Sequence, residues 1–334
     1  MNTFARRAIT CSAVALGACV VTTTLPLLVT IALAIDGARW IASRRPWMAT
    51  RLTLFLFVFL LSECVGLSAL ALAWLFAGAG PHRRERLLRM TWRVQCEWVA
   101  LLLATVRRLF GLSLDVDGLD ATVPGPILVF ARHCSIIDTL LPTVLLSRAR
   151  GYLLRFVLKR ELRWDPCIDV AGSRLPNAFV GRDGADSATE IAAVRALASD
   201  LGPSDGVLLY PEGTRFTSEK RRRILERLQS RDAAAHARAQ SLRHLLPLRL
   251  GGATALLDGS DADVVFLAHT GLEGFASVGA LFRQGLARGT LRVRAWRVAR
   301  SEIPTERSAR EAWLHAEWQR LDDTIEAMER GRPS

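Results

Sequence analysis

Residues 127–138 read Ile127-Leu128-Val129-Phe130-Ala131-Arg132-His133-Cys134-Ser135-Ile136-Ile137-Asp138. The apolar run Ile127–Phe130 is short and unbroken, which reads as a buried strand. His133 follows at the strand's end, and an acid stands five residues later where a helix begins. A turn between them lets the carboxylate reach one imidazole nitrogen and leaves the other free to take a proton from a hydroxyl. A continuous helix would rotate Asp138 about 140° away from His133, so the pairing requires that turn. Taken alone, the spacing is also what a helix-capping Asp would give.

Outward from this strand, short apolar runs alternate with helical patterns. Leu112, Leu114 and Val116 alternate with polar residues, and Tyr152–Leu158, Val207–Tyr210, Val264–Ala268 and Leu291–Val298 are further strand candidates. Helical patterns cover Ile137–Leu146, Ala185–Leu201 and Ser218–Ser230. The alternation predicts an α/β fold with a mixed, largely parallel sheet flanked by helices. A final helix over 307–330 carries Leu314, Trp318, Leu321, Ile325 and Met328 at four-and-three spacing, one stripe that should pack on the domain.

The chain has 334 residues, half of them apolar, with 44 Lys+Arg against 32 Asp+Glu, a net charge of +12 and a mean hydropathy of +0.21. That excludes a disordered or collagen-like chain. A basic surface suits anionic lipid, a phosphorylated substrate or nucleic acid. Lys159 and Lys220 are the only lysines, so a single Arg says little by itself. The six cysteines are scattered with no C-x-x-C pair, which argues against a disulfide framework and a zinc site.

From Ala8 to Ile35 no residue is charged, longer as a helix than the roughly 30 Å hydrocarbon core of a bilayer. A signal peptide would have an apolar region of only about 7–15 residues. A second apolar stretch, 52–80, is interrupted only by Glu63, to which we assign no role. The expected organisation is therefore a membrane-anchoring helical hairpin over 1–89 and a catalytic domain over 90–334. Residues 90–110 carry Trp92, Trp98, Val99, Leu102, Leu103, Val106 and Phe110 among charged residues. They fit a helix lying in the membrane interface or a core helix of the domain. The arginine-rich composition points to a GC-rich bacterial genome, hence an inner-membrane protein with its catalytic domain on the cytoplasmic face.

A second constellation, Leu208-Leu209-Tyr210-Pro211-Glu212-Gly213-Thr214-Arg215-Phe216-Thr217, again runs from a strand into a turn. Gly213 permits close backbone approach, and Thr214 and Arg215 offer donors to a phosphate or oxyanion. Pro-Glu-Gly-Thr is also compatible with an ordinary turn.

Together these segments resemble the glycerolipid acyltransferases typified by 1-acyl-sn-glycerol-3-phosphate acyltransferase, with an H-x-x-x-x-D block followed by P-E-G-T-R. Between them, 158–166 resembles the family's K-x-E-L-x-x-x-P segment, and Phe179-Val180-Gly181-Arg182 its F-x-x-R block. Phe216-Thr217 with Lys220 and Arg249 with Gly252 echo one branch of the family, and the likeness covers about residues 90–325. Two departures stand out: Arg132 precedes the His where Asn is frequent, and Val264–Ala268 lacks a proline common in the fourth block.

The resemblance implies transfer of an acyl group from an acyl-CoA or acyl carrier protein thioester to the hydroxyl of a lysophospholipid, with no cofactor, metal or nucleic acid. His133 and Asp138 would be catalytic, His133 as the base. Arg182, Glu212, Gly213, Thr214, Arg215 and Lys159 would bind substrate. Arg182 and Arg215 would hold phosphate, Glu212 would pair with one of the arginines or hold the loop, and backbone donors near Gly213 would stabilise the oxyanion. Cys134 raises a thiol-nucleophile alternative. His244 and His269 have no partner spacing and read as structural or exposed. A hydrolase would need a G-x-S-x-G or H-E-x-x-H, and neither occurs.

Overall fold

A computed structural model describes residues 2–181, 188–275, 277–284 and 289–331. Its centre is a seven-stranded sheet in the order β1 (Leu112–Asp117), β7 (Gly289–Val298), β6 (Asp263–Thr270), β2 (Ile127–Ala131), β5 (Asp205–Leu209), β3 (Leu153–Lys159) and β4 (Ala178–Val180). From β6 to β4 the strands run parallel, while β7 is antiparallel to β6 and β1 is parallel to β7. The sheet is thus mixed and largely parallel, as the alternation predicts. The three-residue, half-buried β4 was not anticipated because it carries no readable period.

Every residue of β2 is buried, because helices cover both faces of the sheet. Ile127, Val129 and Ala131 enter one core with Leu103, Val106 and Phe110 of α3 (Arg83–Phe110). Leu128 and Phe130 enter the other, shared with α5 (Ala188–Ala196), α8 (Leu250–Gly259) and α10 (Arg307–Arg330). In α10 all five stripe residues are buried there, each contributing about 1.5–3 kcal/mol when fully removed from water. Of the two readings open for 90–110, the structure takes the core helix: α3 is wedged between the sheet and α2 (Ala49–Phe76), and it stops at Gly111, whose φ is +66°. The helix expected over Ile137–Leu146 becomes a 3₁₀ turn at Ile137–Leu140 followed by a wider-wound π segment at Thr143–Arg148. Helices α4 (Pro166–Arg174), α7 (Ala233–Ser241), α8 and α9 (Val278–Gln284) were not anticipated.

The N-terminus forms two packed helices, α1 (Thr3–Ser43) and α2, each long and apolar enough to cross a membrane, which is compatible with membrane association. The second expected stretch ends earlier, at Phe76. Asp36 accepts from the N–H groups of Met48, Ala49 and Thr50 and so caps α2. Both helices are tied to α4. Arg6 and Arg7 each reach the fully buried Asp169 at 2.9 Å, Glu63 accepts from the Cys167 N–H, and Arg174 donates to Leu70 O.

Candidate active site

Because β2, β3, β4, β5 and β6 are parallel, the segments leaving their carboxyl ends open on one edge of the sheet. That edge collects the His133 loop, the 160–165 turn, Gly181, the Glu212 loop and His269–Glu273. Motifs far apart in the chain become neighbours through strand direction alone.

After β2 the chain turns as the spacing requires. His133 Nδ1 lies 2.9 Å from Asp138 Oδ1, and Asp138 Oδ2 accepts from the N–H groups of Cys134 at 2.6 Å and Ser135 at 2.7 Å. An ionised carboxylate only accepts, so Nδ1 carries the proton and Nε2 presents its lone pair. The His133 side chain keeps 15 % of its surface exposed while that of Asp138 keeps none. The imidazole is therefore reachable and its partner is sealed. Tyr210 covers one face of the imidazole, with ring centroids 4.6 Å apart.

A second set of buried groups braces this loop from β6. Arg132 donates through Nη1 to His269 O and to Glu273 Oε1, both at 2.7 Å, and Glu273 Oε2 accepts from Gly271 N–H. The Arg that departs from the family pattern is thus an internal clamp. His269 is buried, with Nε2 3.2 Å from Arg132 O and 3.7 Å from Asp138 Oδ2, and burial holds it below its ordinary pKa. No sequence signal marked it, because its partners lie across the sheet. His244 sits elsewhere, against Glu326 at 2.7 Å.

Cys134, Asp138 and His269 hold their donor atoms within 4.8 Å of one another. Burial raises the Cys134 thiol far above its ordinary range, and Asp138 already accepts three hydrogen bonds. The trio therefore suits a proton-holding network better than a cation, and a protonated, 2 % exposed thiol is a poor nucleophile.

After β5, Glu212 is buried and joins two distant segments. Oε1 accepts from His133 N–H at 2.8 Å and Oε2 from Leu246 N–H at 2.9 Å. Of its two expected roles the geometry gives loop-holding; burial pushes its carboxyl up to about 8 against the pull of those donors. Phe216 N–H donates to His133 O at 2.6 Å and fastens the two loops a second time. Gly213 has φ +65°, and a Cβ there would lie 3.0 Å from Arg249 Nε, so both conformation and space favour glycine.

The Gly213 N–H donates to Tyr210 O, so it is not the free oxyanion donor the sequence suggested. The next N–H, that of Thr214, meets no acceptor among the described residues. Thr217 caps α6 (Ser218–Gln229) by accepting from Lys220 N–H, and Lys220 Nζ turns back to Thr214 Oγ1 and Arg215 O. Burial, with the positive charges of Arg215 and Lys159, holds the Lys220 ammonium below its ordinary range. In the 158–166 segment, Asp165 caps α4 and Pro166 opens it. Arg182 lies outside the described residues.

A model of the protein family described as Acyltransferase matches residues 113–251, a span that contains both loops. Those residues form an acyltransferase domain. Among solved structures, this acyltransferase is similar to the 1-acyl-sn-glycerophosphate (LPA) acyltransferase of Thermotoga maritima, at 15 % identity over 85 % of this chain and 99 % of that one, with a TM-score of 0.55. At that identity the likeness establishes the shared fold. No curated protein matches the acyltransferase sequence.

Proposed function

We propose that this acyltransferase moves a fatty acyl group from an acyl-CoA or acyl carrier protein thioester to the free hydroxyl of 1-acyl-sn-glycerol-3-phosphate, giving phosphatidic acid in phospholipid biosynthesis. The observation that carries the reading is the 2.9 Å contact between His133 Nδ1 and the sealed Asp138, which leaves Nε2 as a base at an accessible edge. Nε2 takes the acceptor's hydroxyl proton as the oxygen attacks the thioester carbonyl, a contribution of about 10²–10⁴-fold. Asp138 fixes the tautomer and stabilises the imidazolium. The tetrahedral intermediate collapses, the C–S bond breaks, and the departing thiolate takes the proton back from His133. Thr214 N–H is the candidate oxyanion donor.

Arg215, Lys159 and Arg182 are assigned to the acceptor's phosphate, which planar guanidinium groups bind through paired donors. The Thermotoga protein's description as an LPA acyltransferase supports this acceptor. The reaction as written needs no cofactor or metal, and its partners are lysophospholipid, thioester and membrane lipid. The two apolar helices support placement at a membrane, for which we propose a bacterial inner membrane with the catalytic edge facing the cytoplasm.

The test is product formation from labelled oleoyl-CoA and a panel of lysolipids, read by mass spectrometry. Phosphatidic acid from lysophosphatidate, abolished in His133→Ala with the fold retained, is the expected outcome. Product only from another head group would reassign the acceptor, and unchanged turnover in His133→Ala would defeat the mechanism.

A further inference from the structure

A cavity of about 560 Å³ lies behind the Glu212 loop, walled by α6, α7, the 246–250 segment and α10. It falls within the range of about 300–1,000 Å³ common for small-molecule sites. His133 and Asp138 are not among its lining residues, so it is a compartment separate from the catalytic pair. Its walls are mainly apolar, with Leu228, Leu248 and the indole of Trp318 facing the space. Trp318 Nε1 is already satisfied by Leu246 O, and the indole offers the cavity no free donor.

Three lining arginines, Arg227, Arg238 and Arg249, are exposed. Their guanidinium groups make no hydrogen bond or ion pair among the described residues. Arg222, by contrast, is neutralised by Glu219 and Glu226, so these three leave their charge on the cavity rim. Among the described lining residues Glu212 is the one carboxyl, and both of its oxygens are held by backbone N–H groups. Greasy walls with an uncompensated cationic rim complement one kind of molecule: an apolar chain ending in an anion.

We infer that this cavity binds a single-chain anionic amphiphile, its hydrocarbon chain against Leu228, Leu248 and Trp318 and its carboxylate or phosphate on Arg227, Arg238 and Arg249. Free fatty acid, lysophosphatidate and a long-chain acyl-CoA share that chemistry. The wall nearest the catalytic edge is the back of Glu212 and Thr214, so an occupant rests against the loop that holds His133.

The full-length protein in detergent is irradiated with a diazirine-bearing long-chain fatty acid or with its neutral methyl ester, and adducts are mapped by peptide mass spectrometry. The acid is expected to label residues 224–250 and 315–319, and the ester is not. The exposed double variant Arg227→Glu/Arg238→Glu should reduce labelling about tenfold, the equivalent of losing one charge-assisted contact, and Ala316→Trp should block it by filling the rim. An unchanged circular dichroism spectrum and thermal midpoint certify the folding of both variants. Unlabelled oleate, lysophosphatidate and oleoyl-CoA are then used as competitors, and the strongest identifies the head group. Equal labelling by ester and acid, adducts confined to other regions, indifference to both variants, or failure of all three competitors would overturn the inference.

Discussion

The two loops that form the catalytic edge are held in opposite ways. In the His133 loop, Asp138 is satisfied within its own turn, by the side chain of His133 and the N–H groups of Cys134 and Ser135, all within five residues. In the Glu212 loop the carboxyl finds its partners 79 residues away at His133 and 34 residues away at Leu246. The first is a self-contained reactive unit and the second a strut between segments. The same functional group, a buried carboxyl accepting backbone N–H bonds, serves the proposed chemistry in one loop and architecture in the other. The difference predicts that damage to Asp138 shows first in rate and damage to Glu212 first in stability.

The largest effect should come from Asp138→Asn. The amide must turn its NH₂ either toward Nδ1, forcing the proton onto Nε2, or toward the two backbone N–H groups, which are donors it cannot accept from. Turnover is expected to fall about 10²–10⁴-fold, measured as kcat with the thermal midpoint followed in parallel. A variant that unfolds without a specific rate defect would erase the contrast between the loops.

Glu212→Ala should chiefly cost stability. It strands two buried N–H donors, at about 1–3 kcal/mol each, and thermal unfolding should begin several degrees earlier. Glu212 also gives a pH signature. Its carboxyl is raised from 4.5 to about 8, so the folded chain binds this proton more tightly than the unfolded one. That contribution is complete below the unfolded value, shrinks across the interval and is lost as pH rises through about 8. Midpoints measured from pH 6 to 9 should decline in the parent, with a flatter profile in Glu212→Gln; parallel profiles would remove the strut from this account.

Smaller effects sharpen the picture around the strut. Gly213→Ala places a Cβ on a left-handed residue and should cost about 1–2 kcal/mol, read by chemical denaturation. Thr217→Ala removes the α6 cap and should cost about 1 kcal/mol, read by chemical denaturation.

The sequence alone determined what depends on near neighbours and on period. Six strands, the α10 stripe and the His133–Asp138 turn were legible because alternation, helical spacing and a five-residue loop are properties of adjacent residues. The mixed, largely parallel sheet followed from the order of those patterns. Only the tertiary structure decided that α3 is core, that Gly213's N–H is already taken, and that Arg132 ties the His133 loop to His269 and Glu273 at the neighbouring strand. It also decided that Glu212 ties loops together and that three arginines around an apolar cavity find no partner among the described residues. These depend on which strands lie side by side and which way they run. Burial and long-range pairing are set by that arrangement, and no local spacing encodes it.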